Sequence, residues 1–434
     1  MPVAWRLTLG IPDSQHHIGI RTTWGGQESP FGLLQHDRRQ HLYVIGKTGT
    51  GKSTLLKSLI LADIYAGHGV GLLDPHGDLA TEILEHIPRH RTDDVVVFDC
   101  GDFEHPIGFN ILKPVPHDQR HLVASAVVSA FKNVWHDSWG PRLEYILYAC
   151  VAALMECQNV TLLGIPRMLV DSRYLSWVLG QVKDPVVKAY WSGEFMQFDK
   201  RQLAEVISPL QNKVGQLLMS GPLRNILGQV GTKLDCRFMM DNRRIFIANL
   251  SKGAVGEDKS NLLGALLVSQ FQHAAMQRGA SPAGERPDFN LYIDEFQNFT
   301  TEAFGAALSE TRKYGLTLSL FHQYTAQLPD TLRAAVFGNV GSIISFRVGE
   351  QDARILEREL DGEIRAAEFT ALENHQVCVK LIQNGIPTTP FKARTLQPAF
   401  RRINRRSNLV RQSRQKFCRD RRTVEERISK WMGQ

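Results

Sequence analysis

Residues Gly46–Ser53 read GKTGTGKS and follow directly on the apolar run His41–Ile45. In this spacing the glycines let the backbone curl so that successive N–H groups and a helix N-terminus face one anion. The geometry requires a strand that runs straight into a helix. The flanking residues comply: Leu55, Leu56, Leu59 and Ile60 recur at helical spacing within Lys52–Ala66, and a second strand is expected at Val70–Asp74. A strand, phosphate loop, helix and strand in that order commit the chain to a parallel α/β sheet, because parallel neighbours need a crossover helix.

Further along, the pattern changes twice. Residues 114–235 carry helical periodicity (His121–Val134, Arg142–Glu156, Arg201–Leu218) and no strand of their own. Strands resume at Arg244–Asn249, Asn290–Ile293, Thr317–Phe321 and Ser342–Arg347, and a β pair at Gln376–Gln383 and Thr388–Leu396 closes the body. The fold class expected is therefore α/β: a P-loop core with a mostly parallel sheet flanked by helices, an all-helical insertion and a basic helical C-terminal tail. The boundaries expected are a short β segment at 1–35 (Trp5–Leu9, Ile18–Thr22), a core at 36–113 plus 236–396, an insertion at 114–235 and a tail at 397–434.

With 43% hydrophobic and 22% charged residues over 434 positions, the chain can bury a large core, which excludes a disordered class. Its six cysteines show no CxxC or Cys/His pairing, so neither a disulfide framework nor a zinc site is expected, and a cytoplasmic setting fits. The longest apolar run, Tyr145–Met155, is too short to cross a bilayer, so no membrane span is expected. Lys392–Gln434 holds 14 Lys/Arg against three acids, an excess larger than the net charge of +7, so the rest of the chain is slightly acidic. Such a tail suits a DNA backbone without sequence preference, or an acidic neighbouring subunit.

The chemistry follows from the loop. Gly46, Lys47, Thr48, Gly49, Thr50, Gly51, Lys52, Ser53 and Thr54 form the expected nucleotide cradle, with Lys52 on the β and γ phosphates and the Ser53 hydroxyl on Mg²⁺. Leu291–Glu295 (LYIDE) ends a strand in two carboxylates. Asp294 is expected to hold Mg²⁺ through water, and Glu295 to act as the base toward the attacking water. The chain lacks the Asn-Lys-x-Asp motif that reads guanine, so ATP is favoured. Gln323, at the next strand's end, is placed to sense the γ phosphate. Arg312, eleven residues earlier, is a candidate to reach a neighbouring subunit's nucleotide. Lys52, Glu295, Arg312 and Gln323 are thus the candidate catalytic residues.

Together, YVIGKTGTGKST, LLDPHGD, WGPRLEYIL, NLSKG, LYIDEFQNF, SETRKYG with FHQ, and FGNVGSIISFRVG resemble the HerA/FtsK-like ring ATPases. Within that group they are most similar to the VirD4/TraD-like coupling proteins (TraG/TraD family) of conjugation and type IV secretion. The resemblance spans about residues 40–430. It implies a RecA-like core, a homohexamer that pumps DNA, Arg312 acting in trans, Gln323 as sensor, and a helical insertion that meets DNA or a relaxosome. Coupling proteins of the best-known kind carry N-terminal membrane helices, which this sequence lacks. Two settings stay open: a protein held at the inner membrane face through a secretion-channel partner, or a cytoplasmic motor serving a nuclease in DNA-end processing or phage defence. An ATP-driven assembly factor for a secretion apparatus is the alternative from another class.

Overall fold

The structure, a computed structural model, describes residues 15–22, 26–301, 304–397 and 400–433. The expected strand at Trp5–Leu9 lies outside them. Thirteen strands are described: β1 (Gln15–Thr22), β2 (Glu28–Leu34), β3 (Leu42–Ile45), β4 (Gly69–Asp74), β5 (Val95–Asp99), β6 (Ile245–Asn249), β7 (Phe289–Ile293), β8 (Leu316–His322), β9 (Ser342–Ser345), β10 (Gln376–Lys380), β11 (Ile382–Gln383), β12 (Ile386–Pro387) and β13 (Phe391–Thr395). Eleven of them form one sheet in the order β2-β1-β13-β10-β9-β3-β8-β7-β4-β6-β5, and β11 and β12 pair separately.

From β9 to β6 every pairing is parallel, while β10, β13, β1 and β2 extend the sheet antiparallel. The parallel strands are buried on both faces, which is why β3 (LYVI) and β7 (FNLYI) read as unbroken apolar runs. One element differs from the sequence reading. Val95–Asp99 (VVVFD), not expected as a strand, forms the edge strand β5. The expected piece at Ile18–Thr22 lies in β1, which joins the main sheet beside β13.

The chain forms two compact units: Met1–Val97 with Cys236–Asn249 and Ala274–Val410, and Phe98–Asp235 with Leu250–His273 and Arg411–Gln434. In the first, the helix Lys52–Tyr65 buries Leu55, Leu56, Leu59 and Ile60 on the sheet, each at 1% exposure or less. Burying one such side chain is worth roughly 1.5–3 kcal/mol. The helix and strand are also joined by a fully buried polar triad. Arg38 donates to both carboxylate oxygens of Asp63, at 2.6 and 3.0 Å, and the Tyr292 hydroxyl donates to Asp63 at 2.5 Å.

The second unit is mainly helical. Arg120–Val134, Pro141–Leu154 and Lys200–Met219 bury one apolar face each, and Asp199 with Gln202 forms a capping box at the start of the third. Among the described residues no helix is long and apolar enough to cross a membrane.

The basic tail is helical, as expected. It breaks at Cys418–Asp420, between helices Arg406–Phe417 and Arg421–Met432. It is packed on the chain. In the first unit the N–H groups of Ile403 and Asn404 donate to the Glu85 carbonyl, at 2.7 and 3.2 Å, and Leu409 enters the core. In the second, Arg414 pairs with Asp102 at 2.6 Å, Arg421 with Glu104 at 3.2 Å, and Val424 and Ile428 pack on Leu163.

Candidate nucleotide site

Register places the candidate residues. In the parallel pairings Ile45 lies opposite His322, Ile293 opposite Leu320, and Leu73 opposite Ile293. The C-terminal ends of β3, β8, β7 and β4 are therefore neighbours, and whatever follows each strand meets at one rim. In open α/β sheets ligands bind at that rim. Here it gathers the loop Gly46–Ser53, Gln323, the Asp294–Glu295 pair and Asp74, all from the first unit.

The loop is held from outside as well as by its own sequence. Gly46 N–H donates to the His322 carbonyl at 3.3 Å and Lys47 N–H to the Arg347 carbonyl at 2.8 Å, while the Thr50 carbonyl accepts His375 N–H at 2.8 Å. Gly51 has φ 119°, and a Cβ there would lie 2.7 Å from the His375 ring. Only glycine fits that conformation and that space. Lys52 bends back onto the loop, donating to the Gly46 carbonyl and, at 3.1 Å, to the Lys47 carbonyl. Burial lowers the pKa of its ammonium, against the opposing pull of Glu295 and Asp294. Ser53 is exposed at the first turn of the helix, and Thr54 beside it is half-buried.

Asp294 continues β7, its N–H donating to the Leu73 carbonyl at 3.1 Å. Burial, then the charges of Glu295 and Asp74, push its carboxyl up to about 7. Crowded carboxylates of this kind fit a divalent cation, which would relieve their repulsion. Among the described residues no group of three or more His, Cys, Asp or Glu could itself hold a metal ion. A Mg²⁺ ion here would take Ser53 and Asp294 with water and phosphate oxygens, the mixed shell that Mg²⁺ prefers.

Glu295 is 7% exposed and sits at φ 47°, a left-handed conformation that costs a non-glycine residue on the order of 1 kcal/mol. The turn Phe296–Asn298 holds it there, with Asn298 Nδ2 donating to the Glu295 carbonyl at 2.9 Å. Gln323 Nε2 donates to Glu295 Oε1 at 2.6 Å, and Gln323 Oε1 accepts the Thr48 hydroxyl at 3.2 Å. One glutamine thus joins the phosphate loop to the acidic pair. Two residues that sequence reasoning missed complete the surroundings. Gln297 Nε2 donates to Glu295 Oε2 at 2.9 Å. His322 lies buried beneath the loop, its pKa lowered to about 3 by burial and then by Lys52, with Nδ1 3.1 Å from the Tyr43 hydroxyl. The pattern LYIDEFQNF held a cue to Gln297, a polar side chain two residues beyond the acid.

Arg312 is not part of this constellation. It is exposed on the short turn Thr311–Tyr314, which precedes β8, whereas Gln323 follows that strand. The seven residues of β8, at about 3.3 Å each, place roughly 23 Å of strand between the two ends. That exceeds the reach of an arginine side chain. Arg312 has no ion pair among the described residues.

Residues 26–130 match the family model described as the central domain of helicase HerA. No curated protein sequence matches the chain. Among solved structures, the bacterial conjugative coupling protein TrwBdeltaN70 in unbound form is similar over 88% of this chain and 89% of its own, at 16% identity and a TM-score of 0.60. The plasmid coupling protein TrwB in complex with ADP and Mg²⁺ is similar over 91% and 97%, at 16% identity and 0.62. VirB4 of Thermoanaerobacter pseudethanolicus is similar over 89% and 98%, at 14% identity and 0.55. The chain has the P-loop NTPase fold seen in TrwB.

Proposed function

We propose that this chain is the subunit of an ATP-hydrolysing, Mg²⁺-dependent motor that moves DNA, and that it works as a homohexamer. The observation that carries the hydrolytic part is the Thr48–Gln323–Glu295 connection, which ties a phosphate loop to a buried carboxylate placed to act as base. The TrwB structures support the choice of ligand, since that protein has been solved with ADP and Mg²⁺ and with non-hydrolysable ATP and GTP analogues. In this reading Lys52 and the loop N–H groups hold the β and γ phosphates. Ser53 and Asp294 position Mg²⁺, and Glu295 draws the proton from water as it attacks.

The position of Arg312 supports the ring. An exposed guanidinium at the end of β8 away from its own loop serves a γ phosphate only on a neighbouring copy, where such a group is worth about 10³–10⁵ in rate. DNA is the cargo we infer, from the HerA-type domain and the basic tail. Since Arg414 and Arg421 already hold carboxylates, the tail arginines left for a DNA backbone are exposed ones such as Arg422 and Arg427.

The test is ATP turnover with and without single- and double-stranded DNA over a range of salt. A DNA-pumping motor shows stimulation that weakens steeply with salt. Turnover indifferent to DNA at every salt would replace this reading with the assembly factor, and streptavidin displacement from DNA ends separates pumping from binding.

A further inference from the structure

Gln297 holds a buried acceptor that its surroundings leave without a donor. Its Nε2 is engaged with Glu295 Oε2 at 2.9 Å, and this bond fixes which way the amide points, because a reversed amide would set carbonyl against carboxylate. Its Oε1 then lies buried with no hydrogen-bond partner among the described residues. A buried carbonyl without a donor costs free energy, so such an atom in a well-packed site calls for an explanation. The backbone that carries it is well secured. Asn298 Nδ2 donates to the Glu295 carbonyl at 2.9 Å, and the Thr300 hydroxyl donates to the Gln297 carbonyl at 3.3 Å. The amide is therefore held beside the base while its oxygen stays free.

We propose that Gln297 is a catalytic residue of the hydrolysis inferred above, on which this proposal rests, and that its Oε1 is the second acceptor for the attacking water. A water poised for attack has two protons to place. Glu295 takes one of its O–H groups, and the Gln297 carbonyl fixes the other. With both held, the oxygen lone pair is directed at the γ phosphorus. The water oxygen forms a bond to phosphorus while the bond from phosphorus to the β–γ bridging oxygen breaks. The electron pair of that bond leaves on ADP, and the water proton passes to the Glu295 carboxylate before release with inorganic phosphate. Gln323 holds Oε1 of Glu295 at 2.6 Å and Gln297 holds Oε2 at 2.9 Å, so the carboxylate is fixed beside the Gln297 amide. Orienting water with an amide gains rate by positioning, since the amide itself accepts no proton.

The test is steady-state ATP turnover and fluorescent ATP-analogue binding by the full-length protein and its Q297L, Q297H and E295Q variants. Q297L removes donor and acceptor at similar volume. Its kcat is expected to fall at least tenfold, with KM for ATP and analogue affinity within twofold of the parent. Q297H restores one donor and one acceptor and is expected to recover a substantial part of kcat. A Q297L protein with the parental kcat, a loss confined to KM, or a Q297H protein as inactive as Q297L overturns the proposal. If Q297L does not fold, Q297H decides: kcat within fivefold of the parent supports the role, and a larger loss in a folded protein overturns it. E295Q distinguishes the two levels of inference. If the parent turns over ATP no faster than E295Q, the hydrolytic reading itself fails. If E295Q is silent while Q297L is fully active, only the role of Gln297 fails.

Discussion

Gln323 donates its side-chain amide to Oε1 of Glu295 at 2.6 Å. The two residues are 28 positions apart and lie at the ends of adjacent parallel strands, so the bond exists only because β7 and β8 are neighbours in register. Through Gln323 Oε1 and the Thr48 hydroxyl, Glu295 is linked to the glycine-rich loop.

Replacing Glu295 by Gln keeps the size of the side chain and removes the proton acceptor. ATP binding is expected to persist while turnover falls by about 10²-fold or more, the usual range for loss of a general base. Steady-state hydrolysis beside fluorescent-analogue binding checks this, and undiminished turnover rejects Glu295 as base.

Replacing Arg312 by Ala is expected to lower turnover by roughly 10³-fold with ATP binding unchanged. Mixing this variant with Glu295→Gln is expected to restore part of the activity, because some interfaces then combine an intact Arg312 with an intact Glu295. Mixtures that stay silent at every ratio argue against action across an interface.

Asp63 neutralises a guanidinium that is 1% exposed. Asp63→Ala leaves Arg38 charged and unpaired in the core and is expected to cost about 3–5 kcal/mol in urea unfolding. Tyr292→Phe removes the hydroxyl that donates to Asp63 and accepts from Arg38, and is expected to cost at least about 1.5–3 kcal/mol. Equal, negligible effects of both would show the triad to be energetically idle.

His41 is held neutral. Its Nδ1 accepts Leu318 N–H at 3.0 Å, its Nε2 lies 2.8 Å from the Leu308 carbonyl, and burial lowers its pKa to about 4. The unfolded chain binds a proton near 6.5 that the folded chain refuses, so stability is complete above 6.5 and is lost as pH falls toward 4. The loss over that window is about 3 kcal/mol. Urea midpoints between pH 7 and 4 measure it, and His41→Gln is expected to flatten the slope. An unchanged slope would assign the acid loss to other groups.

The legible parts of this protein were those whose physics is local. A glycine-rich loop between an apolar run and a helical segment constrains the backbone closely, so the expected cradle residues lie together at the end of β3. LYIDE likewise announced a strand ending in two acids. β5 escaped notice because VVVFD is a five-residue run with no glycine-rich motif beside it, and short apolar runs do not distinguish strand from helix. The tail was legible in charge but not in placement. Its helical breaks and its pairing with Asp102 and Glu104 depend on residues over 300 positions away.

Sequence by itself determined that a phosphate loop, an acidic strand end and a basic terminus exist in this chain, because spacing and composition are enough to dictate a turn, a strand or a charge. Tertiary structure alone decided what those pieces do to one another. Strand order set Gln323 on the oxygen of Glu295 opposite the one that the neighbouring Gln297 holds, and the length of β8 separated Arg312 from its own loop. Burial raised Asp294 and emptied the surroundings of Gln297 Oε1 of donors. Contacts of that kind are made across the sheet, between residues whose proximity no local pattern encodes.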